Sequence, residues 1–154
     1  MKPLTTFISK SGKTIEIWEP SLERMKSFLS FVNRLVEEDT FLTLSGRKRT
    51  YEEEETWLKN VIASIKLNLT YYVWAVSDDK IIGNCDIKRG DTRKLHVGTI
   101  GLMVDRDFRR EGIGSFLFNF ILEKGKKMGF KIATLTVFSD NIPGFNLYKK
   151  CGFD

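Results

Sequence analysis

Two arginines followed by a pair of glycines one residue apart, Arg109-Arg110-Glu111-Gly112-Ile113-Gly114-Ser115, have the makings of an anion site. Backbone without Cβ atoms lets a bulky group come close, and guanidinium groups add charge-assisted hydrogen bonds. The segment follows an apolar run ending at Val104 and precedes a long apolar-periodic stretch, so it stands where a strand should become a helix. The first N–H groups of a helix have no intrahelical partner and lie at the positive end of its dipole. The expected ligand is a phosphate, a pyrophosphate above all. Familiar phosphate loops do not fit. No Gly-x4-Gly-Lys-Ser/Thr occurs, and Leu117 stands where the dinucleotide fingerprint needs its third glycine. A lone Gly-x-Gly also serves as a plain tight helix entry, and the segment alone leaves that reading open.

The elements that must hold this segment can be read from periodicity. Thr5–Ser9 and Thr14–Trp18 flank Ser11-Gly12-Lys13 as a short hairpin. Ser21 is a plausible N-cap for a helix to about Glu38, with Leu22, Met25, Phe28, Leu29, Val32, Leu35 and Val36 on one face. Thr50-Tyr51-Glu52-Glu53 is a capping box that starts a second helix, to about Leu67. Its acidic first turn suits the helix dipole better than a metal. Strands follow at Tyr71–Val76, Ile81–Ile87 and Leu95–Val104, then a helix at Ser115–Met128, a strand of buried type at Lys131–Phe138 and a short helix at Pro143–Cys151. Helices should cover both faces of a mixed sheet, in an α/β or α+β domain.

Bulk properties narrow the function classes. At 154 residues the chain is one domain able to bury a core unaided. No apolar run reaches the length of a membrane span, and the N-terminus lacks the apolar core of a secretory signal. Two distant cysteines, Cys85 and Cys151, argue against a disulfide framework or zinc site and for the cytoplasm. The net charge of +5 points to an anionic partner, but the basic residues are spread and carry no interleaved aromatic platform. Specific nucleic-acid binding is therefore not expected.

A second motif decides the matter. Starting 27 residues beyond Gly114 comes Asn141-x-x-Gly144-x-x-Leu147-Tyr148-x-Lys150-x-Gly152-Phe153. This is similar to the second signature of the GNAT N-acetyltransferases, with Gly144 where Ala is usual, and Arg109-x-x-Gly112-x-Gly114 resembles that superfamily's acetyl-CoA loop. The resemblance runs from about Thr99 to Phe153. It implies a single acyl-CoA N-acyltransferase domain over 1–154, with helices and a meander in 1–93 and the cofactor-binding half in 94–154. The sheet would be mixed and mostly antiparallel. Relatives continue past the point matching Asp154 into two further strands, so the resemblance also implies that the C-terminal strands are missing. That would leave an exposed edge unless another chain, such as a homodimer partner, covers it.

By resemblance the cosubstrate is acetyl-CoA. Its pantetheine arm would pair with main-chain atoms of Leu102, Met103 and Val104, and its pyrophosphate would sit on the amides of Arg110, Glu111, Gly112, Ile113, Gly114 and Ser115. Arg109 and Arg110 would supply charge, while Ile113 would point into the core. Asn141 matches a position that contacts the cofactor arm, or else caps the last helix. Tyr148 matches the usual general acid, a phenol that protonates the departing thiolate, or else is a core tyrosine. Thr136 and Thr99 stand where relatives often place a glutamate base. The substitutes are His96, Asp86 and Glu37-Glu38-Asp39, with a water-relayed base as the leading reading. Phe41, Leu42 and Leu44 could line an acceptor pocket, and Arg47-Lys48-Arg49 could meet an acidic acceptor or form a solvated tip. The expected activity is acetyl transfer to a primary amine (an amino acid, a peptide N-terminus or a small amine) by direct attack in a ternary complex without metal. The alternative is a non-catalytic acetyl-CoA-binding sensor or interaction module.

Overall fold

The computed structural model describes residues 2–38, 47–135 and 142–153. Strands β1 (Thr5–Ile8) and β2 (Thr14–Trp18) form the expected hairpin. The Ser21 side chain accepts the Glu23 N–H and opens a 3-10 turn that runs into α1 (Met25–Glu38). Thr50 accepts the Glu53 N–H, so the capping box starts α2 (Tyr51–Lys66) as read. Then come β3 (Thr70–Ser77), β4 (Lys80–Arg89), β5 (Val97–Val104), α3 (Ile113–Lys127), β6 (Ile132–Thr134) and α4 (Ile142–Lys150).

The strands make one six-stranded sheet in the order β1-β2-β3-β4-β5-β6. All neighbours are antiparallel except β5 and β6, which run parallel through the α3 crossover. Both faces are covered. Tyr71, Val73, Ala75, Cys85 and Ile87 point to α3 and pack with Ile113, Leu117, Phe118 and Ile121. Tyr72, Trp74 and Val76 point the other way, to Phe28, Phe31, Leu35 and Leu58 of α1 and α2. This alternation is why β3 reads as a continuous apolar run.

Two expectations shift. Helix α3 begins at Ile113 rather than Ser115, because Gly112 adopts the left-handed conformation (φ 83°) and turns the chain helical at once. Strand β6 was expected as a buried strand over Lys131–Phe138. It spans Ile132–Thr134, with Ile132 49% exposed, since no other described strand pairs with its outer side. Residues 136–141 lie outside the described residues.

Candidate functional site

Register fixes which main-chain groups of β5 face which neighbour. Asp105 N–H donates to Ile82 O at 2.7 Å and Gly90 N–H to Val97 O at 3.0 Å. Odd-numbered residues of β5 therefore turn their N–H and C=O to β4, and even-numbered ones turn them away. His96 follows the rule, its carbonyl accepting from Lys131 and Ile132 on the β6 side. Among the described residues, β6 pairs only with Val97–Thr99. Past Thr99 no described strand pairs with that side of β5, and the N–H and C=O of Leu102 and the N–H of Val104 turn away from β4. Met103, expected to offer main-chain atoms there, instead turns them to Asn84 of β4.

That side of β5 leads straight into the glycine segment. Ile113, Gly114 and Ser115 form the first turn of α3; among the described residues no side chain caps that turn, and the first helical amide bond is Phe116 N–H to Gly112 O. The three preceding amides are thus without helical acceptors. Ile113 is 1% exposed, as expected of a core residue. Gly114 lies against α4 and β5: a Cβ there would meet Leu147 at 3.4 Å and Leu102 at 3.7 Å. Arg110 is exposed, has a left-handed backbone (φ 62°), and makes no hydrogen bond or ion pair among the described residues. A non-glycine residue in that conformation is strained, and such strain gathers at functional sites.

Arg109 does something other than wait for an anion. Its Nε donates to Val104 O at 3.1 Å, and its two terminal nitrogens grip the Glu38 carboxylate of α1. Arg34 of α1 similarly bonds Asp105 at 2.7 Å and Ile81 O at 3.0 Å. Glu111 faces the hairpin: its carboxylate accepts from Ser11 N–H and Oγ, and its carbonyl accepts from Lys10 N–H. Those bonds hold the Glu111 carboxyl below the usual range. They also bring Lys10 within 3.9 Å of a Cβ built at Gly112, while Lys13 sits over the Phe108 ring. These hairpin lysines beside the loop had no sequence signal, because they reach it only through sheet pairing.

Tyr148 lies half-buried on the α3 face, its ring 5.3 Å from that of Phe118. Burial raises its phenol above the ordinary range, and the neighbouring Cys85 and Cys151 add to the effect. No hydrogen bond to its hydroxyl occurs among the described residues. Asn141, Thr136, Asp39 and the apolar loop residues Phe41, Leu42 and Leu44 lie outside the described residues.

The base candidates separate clearly. His96 precedes β5, roughly 20 Å along the strand from Leu102 at the usual rise. Glu38 is held by Arg109 and Glu37 by Lys48 at 2.6 Å. Arg47 pairs with Glu53, and the Arg49 backbone exchanges hydrogen bonds with Asn33, so the basic trio fastens this segment to α1 and α2. Thr99 bonds the Thr134 hydroxyl on β6. Asp86 is different: it stands directly opposite Gly101, one residue before Leu102. Elsewhere, a recess of about 840 Å³ between α3, β6 and the end of α4 is lined by Asn119, Leu122, Ala133 and Phe153 among others, and holds none of the expected site residues.

Comparison with known proteins gives concordant matches. The family model described as Acetyltransferase (GNAT) family matches residues 31–153. An L-amino acid N-acetyltransferase of Escherichia coli is 32% identical over 82 residues, covering 52% of this chain and 51% of that protein. An acetyltransferase of the GNAT family from Streptococcus pneumoniae superposes with a TM-score of 0.80 at 26% identity, over 91% of this chain and 84% of that one. A phosphinothricin acetyltransferase from Sinorhizobium meliloti, solved in complex with acetyl-CoA, superposes with a TM-score of 0.76 at 15% identity, over 91% and 75% of the two chains. The matches span about half the length, or less, of the curated relatives. Among the described residues no helix is long and apolar enough to cross a membrane.

Proposed function

Since the chain belongs to the GNAT family of acetyltransferases, we propose that it transfers an acetyl group from acetyl-CoA to a primary amine by direct attack with both substrates bound. The observation that carries this reading is the edge of β5 at Leu102 and Val104, unpaired among the described residues, which runs into the uncapped amides of Ile113, Gly114 and Ser115. The fit to acetyl-CoA is good. A peptide-like arm needs a strand edge with alternating donors and acceptors, and a pyrophosphate needs clustered amides next to cations. Leu102 and Val104 would hold the first. Ile113, Gly114 and Ser115 would hold the second, with Arg110 as the direct cation and Lys10 and Lys13 close by. Arg109 and Glu111 keep the loop in place.

Acetyl-CoA supplies an acyl group activated as a thioester. Tyr148 donates a proton to the departing sulfur, a role that needs a phenol still protonated at neutral pH, as its burial ensures. The amino-acid acceptors suggested by the Escherichia coli relative's name come first among the amines to try, followed by peptide N-termini and small amines.

Calorimetric titration with acetyl-CoA and with CoA, on wild type and Arg110→Glu, tests the reading. Micromolar binding weakened about tenfold in the variant is expected, with thiol release when an amine is added. No binding by the folded wild type would overturn it.

A further inference from the structure

We propose that Asp86 takes the proton from the attacking amine, which enters on the sheet face covered by α1 and α2; this rests on the acetyltransferase reading above. Cys85 and Ile87 point to the α3 face, so Asp86 between them points to the opposite one. It lies across from Gly101, and a Cβ there would stand 2.8 Å from Asp86 Oδ1, so only a glycine leaves the carboxylate its space. Asp86 is mostly buried, yet no hydrogen bond or ion pair reaches its carboxylate among the described residues. A desolvated carboxylate with no partner among the described residues is costly, and such groups mark functional sites. Gly101 is followed by Leu102, whose main chain turns away from β4, so Asp86 stands beside the expected thioester position. Tyr148 approaches that position from the other face, next to Cys85.

The approach suits an amine arriving as a cation. Tyr72 is Asp86's partner on β3. The partly exposed Trp57 ring meets Tyr72 edge-on at 5.5 Å, offering aromatic surface to an ammonium. Among the described residues, the titratable groups around Asp86 and Tyr72 are Glu54 on α2 and Lys88 and Cys85 on β4, while β5 presents Gly101 and the apolar Met103. Burial lifts the Asp86 carboxyl to about 7, with Lys88 pulling it down less strongly. It can therefore accept a proton at neutral pH.

The protons balance without a water relay to a distant base. The ammonium nitrogen gives its first proton to Asp86 Oδ, which passes it to solvent. As the C–N bond forms and the C–S bond breaks, Tyr148 protonates the sulfur, and the second proton shed by nitrogen restores the phenol. The products are the amide, the CoA thiol and one proton.

The test uses Asp86→Asn and Gly101→Ala, with kcat/KM followed from pH 6 to 10, acetyl-CoA affinity, and melting temperature at pH 5 and 8. Asp86→Asn is expected to lose about 100-fold in kcat/KM at pH 7.5 with acetyl-CoA affinity unchanged. The loss should shrink as pH approaches the amine's own pKa, where neutral amine is abundant. Gly101→Ala, which displaces the carboxylate, is expected to lose at least tenfold. Wild type should melt lower at pH 8 than at pH 5 by a margin that Asp86→Asn removes. A loss in Asp86→Asn that is equal at every pH, or below twofold, overturns the base while leaving the acetyltransferase reading intact. A wild type that binds acetyl-CoA but acetylates no amine of the panel overturns both.

Discussion

Tyr148 and Asp86 are two weak acids whose environments push both pKa values upward, with opposite consequences. For the phenol, burial keeps the proton in place across neutral pH, as a donor requires. Tyr148→Phe is therefore expected to lower kcat about 100-fold while leaving acetyl-CoA affinity within twofold, as single-turnover kinetics and calorimetry would show. For the carboxyl, burial raises the pKa from 3.8 to about 7, so the fold favours its protonated form. The sign follows directly: this stabilisation is complete below about pH 4 and is lost as pH rises through 7. Melting followed from pH 4 to 8 should show wild type losing a few kcal/mol that Asp86→Asn does not lose. Tyr148 could be singled out in the sequence because its motif is local. Asp86 was one of several candidates, because its distinction comes from Gly101 lying opposite it in the sheet, and strand register is not written in either segment.

The loop between β5 and α3 is positioned by three side chains from two other elements: Arg34 and Glu38 of α1, and Ser11 of the β1–β2 hairpin turn. Asp105 is 5% exposed and answers Arg34 at 2.7 Å. Asp105→Ala leaves that guanidinium without its carboxylate and is expected to cost about 3 kcal/mol, measurable by denaturant unfolding. Gly112 carries a different constraint. At φ 83° an alanine pays the left-handed penalty, and its Cβ would touch Phe7 at 3.4 Å. Gly112→Ala should cost about 1–2 kcal/mol. The hairpin and the capped starts of the first two helices were legible because caps and alternation act over a few residues. The role of Arg109 was not. Its sequence neighbourhood suggested an anion ligand, whereas Glu38 reaches it only once α1 packs beside the loop. The buried reading of β6 failed for a similar reason, since an apolar strand does not announce whether a neighbour covers it.

The whole molecule places Tyr148, the proposed acid, and Asp86, the proposed base, on opposite faces of one sheet. That arrangement needs helices on both sides, which the sequence order already implied through two helices, a meander and a β-α-β-α ending. Charge is the other property of the whole chain, at a net +5. Composition alone could not say where the excess acts. The structure gathers exposed Lys10, Lys13 and Arg110 around the uncapped start of α3, so a multiply charged anion there meets several cations at once. Exposed charges are screened over about 10 Å at 0.1 M salt and about 3 Å at 1 M. Acetyl-CoA affinity should therefore weaken by roughly tenfold between 0.05 and 0.5 M salt, through the same exposed charges. Arg110→Glu should weaken binding most at low salt and show a shallower salt dependence, because one of the screened attractions has become a repulsion. The buried groups respond differently. Tyr148 and Asp86 sit behind low-dielectric walls, so kcat at saturating substrates should change little over the same range. Parallel calorimetry and steady-state kinetics across the salt series separate the two. An affinity indifferent to salt would mean that the amides of Ile113–Ser115 hold the anion without help from the surrounding cations.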